Sequence, residues 1–175
     1  MRNKCSVVFK WFNVLSVILI GLSCSEEQPI IFKETLTAEF HIDVANSNRL
    51  LYSKYRKLII PKNLDLGNRQ IKKVDFDSIT VSIKTTSLIN LEGTLITFRR
   101  ETQNPSLITV EIDSPIHVEG GESVDLRLAL DSDQLEFIKS TLQTDMSILV
   151  LLVIQYNGTP GHAEILVSTE ATTRY

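Results

Sequence analysis

Two cysteines, three histidines and a few paired acids are the groups in this chain with chemistry to offer. A cysteine thiol can act as a nucleophile, so Cys24 and Cys5 come first. His41, His117 and His162 could ligate a metal, but none stands at ligand spacing to another, and solvated imidazoles are the expectation. The acidic pairs are Asp75 with Asp77, Glu111 with Asp113, and Asp131 with Asp133. Residues i and i+2 on a strand share a face, so Glu111 and Asp113 could converge at a strand end. Asp131-Ser132-Asp133 could lend oxygens to a calcium ion, although a helix cap is the plainer use. Arg99-Arg100 could grip a carboxylate or mark an exposed strand end. Tyr52 and Tyr55 are the nearest aromatic pair that could stack on a sugar ring. No Gly-x-Ser-x-Gly elbow, phosphate loop or dinucleotide fingerprint is present. No catalytic residue, metal or cofactor is therefore expected.

Cys24 stands out because of its surroundings. Arg2, Lys4 and Lys10 precede an apolar stretch from Trp11 to Leu22, too short to span a bilayer, which takes about 20 apolar residues. Gly21-Leu22-Ser23-Cys24 follows, then the polar run Ser25-Glu26-Glu27-Gln28-Pro29. That order reads as a secretory signal peptide over residues 1–23. A cysteine at its cut site resembles the lipobox of bacterial lipoproteins, although Gly21 stands where lipoboxes favour Leu. The resemblance implies cleavage before Cys24 and acylation of its thiol. The alternatives are an uncleaved anchor or an ordinary signal cut near Ser23. Cleavage would take Arg2, Lys4 and Lys10 from the 18 basic residues, leaving 15 against 21 acidic, a net charge of −6 in place of −3. An acidic domain has no footprint for nucleic acid or anionic headgroups, so membrane attachment would fall to the lipid. With Cys5 removed and Cys24 acylated, no thiol is left for a disulfide, a redox pair or a thiolate metal site.

The elements that position these residues follow from period-two patterning. Residues 24–33 read as an acidic tether and 34–175 as one domain. Leu36, Ala38, Phe40, Ile42 and Val44 alternate with polar residues, as do Ile79, Val81 and Ile83, then Ile108, Val110 and Ile112, and Val124 to Leu130. Val74 and Phe76 are in the opposite phase, which predicts a bulge near Asp77-Ser78. Ile148 to Ile154 is apolar without a break and predicts a central strand buried on both faces. Asn157 to Gly161 predicts a turn, and Ala163, Ile165 and Val167 a last strand. One helix is expected, capped by Asp131 or Ser132, with Gln134, Leu135, Ile138 and Leu142 along one stripe, crossing between sheets. Over 49–73 the pattern is divided. Leu50, Leu51, Tyr52 and Tyr55 suit a short helix, Leu58-Ile59-Ile60 a strand, and Asn63 to Arg69 a loop. The fold class is all-β: an antiparallel two-sheet β-sandwich of about eight strands with one short crossover helix, after an N-terminal signal peptide, with a closed barrel as the alternative.

Leu36–Val44, Leu64-Asp65-Leu66 and Ile71–Ile83, in that order, resemble small β-sandwich lipoproteins of the Bacteroidota type. Cys24-Ser25-Glu26-Glu27 is similar to their acidic export signal, which implies an outer-membrane or cell-surface location, with a periplasm-facing one as the alternative. The resemblance implies a lipid-anchored, non-catalytic binding or assembly module for another envelope component. A glycan-binding accessory lipoprotein using Tyr52 and Tyr55 is the second reading, and a hydrolase or metal-dependent enzyme the third. The expected partners are a membrane, through the lipid, and an envelope protein or glycan.

Overall fold

The computed structural model describes residues 28–44, 50–62, 69–86, 89–90, 93–102, 107–112, 117–119, 121–156 and 161–175. Its elements run β1 (Ile31–Val44), β2 (Leu50–Ile59), β3 (Lys73–Asp75), β4 (Thr80–Thr85), β5 (Ile89–Asn90), β6 (Thr94–Arg99), β7 (Leu107–Ile112), β8 (His117–Val118), β9 (Ser123–Arg127), α1 (Ser132–Asp145), β10 (Ser147–Tyr156) and β11 (Gly161–Arg174). Sheet A has the order β1-β11-β4-β9, with β3 also paired to β11, and sheet B the order β2-β10-β6-β7. β5 and β8 form a small separate pair. Every pairing is antiparallel. The fold is an all-β sandwich.

Alternation puts one face of each sheet inside. Leu36, Ala38, Phe40 and Ile42 of β1 meet Val81 and Ile83 of β4 and Ala163, Ile165 and Val167 of β11 in one buried layer. Leu58, Ile96, Phe98, Ile148, Val150, Leu152 and Ile154 supply the opposing layer from sheet B. Val74 and Phe76 are buried together with Ile79, so the phase change at Asp77-Ser78 is real. The chain leaves β11 between β3 and β4, and Thr169 Oγ1 donates to the Ser78 carbonyl at 2.7 Å across the gap.

The helix takes Asp131 as its N-cap. Asp131 Oδ1 accepts from the Gln134 N–H at 2.8 Å while Gln134 Oε1 accepts from the Asp131 N–H at 3.0 Å, a reciprocal capping box. Ile138, Thr141 and Leu142 are buried, and α1 packs on β3 of one sheet and β10 of the other. It therefore joins the two sheets, as the stripe predicts. Ion pairs hold both flanks: Lys139 Nζ to Asp75 Oδ1 at 3.0 Å, and Arg100 to Asp145 in a fork of 2.6 and 2.9 Å.

Four expectations need correction. The helical spacing over Leu50–Tyr55 is overruled, because β10 offers a hydrogen-bonded partner along the whole of Leu50–Ile59. The tether to Lys33 is too long: Ile31, Phe32 and Lys33 already pair with Arg174, Thr173 and Thr172. The segment Val124–Leu130 is strand only to Arg127. Double-sided burial of Ile148–Ile154 holds for one face alone, since Leu149, Leu151 and Val153 are only half-buried.

Candidate interaction surface

The two outer faces differ in kind. In an antiparallel pair, directly opposite residues share a face. Sheet A therefore turns Lys33, Thr35, Thr37, Glu39, His41 and Asp43 outward beside His162, Glu164, Ser168, Glu170 and Thr172, with Ile31 and Leu166 among them. Sheet B presents three cross-strand rows. Lys57, Leu149, Arg99 and Leu107 form one; Tyr55, Leu151, Thr97 and Thr109 the next; Ser53, Val153, Leu95 and Glu111 the third. Leu51 and Ile59 extend the face along β2. Of the five large apolar residues most exposed among those described, four lie here: Leu51 at 70 %, Leu107 at 57 %, Ile59 at 53 % and Tyr55 at 47 %. Contiguous apolar surface of this kind marks an interaction site more often than scattered single residues do.

Some polar groups on this face are paired, while Arg99 Nε is buried without a hydrogen-bond partner among the described residues. Thr97 Oγ1 and Thr109 Oγ1 share a hydrogen bond of 3.0 Å across β6 and β7, and Lys57 Nζ meets Glu101 Oε2 at 2.7 Å. The flank where β1 and β2 approach each other is closed differently. Lys54 and Arg56 project from the inner side of edge strand β2, and Arg56 Nε donates to the Glu39 carbonyl on β1 at 2.9 Å. Inward charges on an edge strand obstruct edge-to-edge pairing and leave the flat face as the freer contact surface.

The structure separates the sugar-stacking pair. Tyr52 and Tyr55 are three apart on a strand and so point to opposite faces. Tyr55 is exposed, while Tyr52 is 9 % exposed inside, its hydroxyl without a hydrogen-bond partner among the described residues and its pKa raised by burial. Two aromatic rings on opposite sides of a sheet make no platform. Cys24, Ser25, Glu26 and Glu27 lie outside the described residues, as do Asp113 and Asn157–Pro160.

Several of the remaining chemical candidates are paired within the chain. Asp131 caps α1, and Arg100 forks onto Asp145, which holds that carboxyl below its ordinary value. Asp75 bonds Lys73 Nζ at 2.9 Å and Lys139 Nζ at 3.0 Å, and the two ammonium groups hold its carboxyl at about 2. The histidines hold one finding that spacing could not reveal. Register places His41 and His162 side by side on the outer face of sheet A, with ring centroids 6.0 Å apart. His41 Nε2 lies 2.9 Å from Glu39 Oε1, and His162 Nδ1 lies 2.7 Å from Asp43 Oδ1. Among the described residues no group of three His, Cys, Asp or Glu is placed to hold a metal ion. A cleft of about 440 Å³ is lined by Arg69, Gln70, Ile71, Gln143, Thr144, Met146 and Tyr175, and the Thr144 hydroxyl donates to the Ser140 carbonyl at 2.9 Å. No helix among the described residues is long and apolar enough to cross a membrane.

No family model matches the chain, and no curated protein matches it. Among solved structures it is similar to the decameric BFDV capsid protein, at TM-score 0.41 and 11 % identity over 83 % of this chain and 100 % of that one. It is also similar to the infectious bursal disease virus Gx strain structure, at TM-score 0.37 and 10 % identity over 84 % of this chain and 32 % of that one. For desmodium yellow mottle tymovirus the values are 0.37 and 10 %, over 85 % and 89 %. Likenesses of this size establish no activity.

Proposed function

We propose that this chain is a lipid-anchored, non-catalytic binding or assembly module of a bacterial cell envelope. Acylated Cys24 holds it on the outer membrane or cell surface, and it meets its partner through the outer face of sheet B. The carrying observation is the asymmetry of the two outer faces: sheet A turns out mainly charged and hydroxyl side chains, sheet B mainly Leu, Ile, Val and Tyr. The N-terminal sequence supports the anchor, since Cys24 follows an apolar run and precedes Ser25-Glu26-Glu27. The first residues after Cys24 serve as a leash. Extended at about 3.3 Å per residue, the stretch to Ile30 keeps the domain within roughly 20 Å of the bilayer.

Crosslinking on intact cells tests both halves. Wild type should fractionate with membranes and give a discrete crosslinked product. Cys24→Ala should move the domain to the soluble fraction. Tyr55→Lys and Leu107→Lys should stay on membranes but lose the product, whereas Thr37→Lys, on the outer face of sheet A, should keep it. Equal products from all three lysine variants would remove sheet B as the surface, and a Cys24→Ala protein still on membranes would remove the anchor.

A further inference from the structure

We infer that the partner seated on the outer face of sheet B is a second copy of this chain, packed sheet against sheet about a twofold axis; this rests on the reading of that face as the interaction surface. Three properties of the face select this occupant. The first is charge. The chain is acidic overall, with net charge −3, so two copies repel each other wherever acidic surface meets acidic surface. The sheet B face carries Lys57, Arg99 and Glu111, with Glu101 at its margin, and so lacks the acidic excess of the whole chain. With Lys57 already paired to Glu101, the face neither repels its own copy nor selects a strongly charged stranger.

The second property is shape. A four-stranded face with alternating side chains is what the molecule already uses to pack sheet A on sheet B, with layers about 10 Å apart and strands within about 30° of alignment. A twofold axis through Leu151 and Thr97, the middle of the central row, would set that row against its own copy, as an isologous interface requires. The third is area. At about 4.8 Å between strands and 3.3 Å per residue, the four strands present roughly 500 Å² in projection. Two copies together cover roughly 1,000 Å², which reaches the lower limit of a specific interface.

Sedimentation velocity of the full chain in mild detergent, from about 1 to 100 µM, reads the mass directly. Wild type should pass from monomer to dimer across that range. Tyr55→Lys and Leu107→Lys sit at exposed positions and should weaken the dimer on the order of 100-fold, because each buries an ammonium without a partner. Thr37→Lys adds the same charge on the other outer face and should dimerise as wild type does. Tyr55→Ser, a milder change, should give a smaller weakening if either lysine variant proves misfolded by circular dichroism. A wild-type chain that stays monomeric throughout overturns the inference, as does a dimer that all the variants form equally. A monomeric chain whose crosslink to a different protein on cells is still lost in Tyr55→Lys overturns only the second copy and leaves the proposed function standing.

Discussion

Replacing Asp75 by Asn should remove an acid-sensitive clamp between β3 and α1 while leaving the fold intact. Asp75 Oδ2 bonds Lys73 on its own strand, and Oδ1 bonds Lys139 on the helix, whose Nζ also lies 5.3 Å from the Phe76 ring. Those two hydrogen bonds depress its carboxyl pKa from 3.8 to about 2. A depressed carboxyl stabilises the fold above its unfolded pKa of about 3.9, and that share is lost as pH falls toward the folded value. A difference of this size corresponds to roughly 2.5 kcal/mol at most. The Asp75 side chain is 39 % exposed, so solvent screening brings the share down to about 1 kcal/mol. Urea unfolding followed by circular dichroism should therefore place Asp75→Asn about 1 kcal/mol below wild type at pH 7. The gap should shrink from about pH 5 and nearly close by about pH 1, below the folded value, where protonated wild type no longer differs in charge from the variant. Parallel curves, with a gap unchanged between pH 7 and pH 2, would refute the ion-pair origin of the effect.

The helix cap gives a second test. Asp131→Ala removes the acceptor of the Gln134 N–H and should cost about 1 kcal/mol in urea unfolding, with Asp131→Asn recovering most of it. A third contrasts the two faces of sheet B at protein concentrations too low for association. Leu152→Ala empties a fully buried position and should cost about 2–5 kcal/mol, whereas Leu51→Ala, 70 % exposed, should stay within about 0.5 kcal/mol. Comparable losses at both sites would mean that the outer face is packed inside the monomer.

Strands were readable wherever one face was consistently apolar. Leu36–Ile42 and Ile79–Ile83 announce both their faces, and the structure places those residues in the core. Strand β11 was only half readable, because its continuation is buried through Thr169, Ala171 and Thr173, and threonine looks polar in a hydropathy pattern. Thr94–Arg99 is masked in a similar way, because its buried face begins with Thr94 ahead of Ile96 and Phe98. Local spacing favoured a helix at Leu50–Tyr55, and a partner almost a hundred residues away made it a strand. Tertiary pairing supplies backbone hydrogen bonds that local spacing cannot anticipate.

For the candidate surface the division is sharper. By itself the sequence determined two-faced antiparallel strands and a capped helix, because alternation and capping chemistry are local properties of the chain; that the strands form two separate sheets and not a closed barrel is decided by the pairing. The proposed anchor at Cys24 likewise rests on the sequence alone, on its order of basic, apolar and small residues. Only the tertiary structure decided that Leu51, Tyr55, Ile59, Leu107 and the flank of Ile148–Ile154 make one outward face. An apolar run reports that a strand avoids water, but not whether both of its faces are covered. Register decides which residues share a face, and it also split Tyr52 from Tyr55 and brought His41 beside His162. Register is set by partners distant in the chain, so no window of sequence contains it.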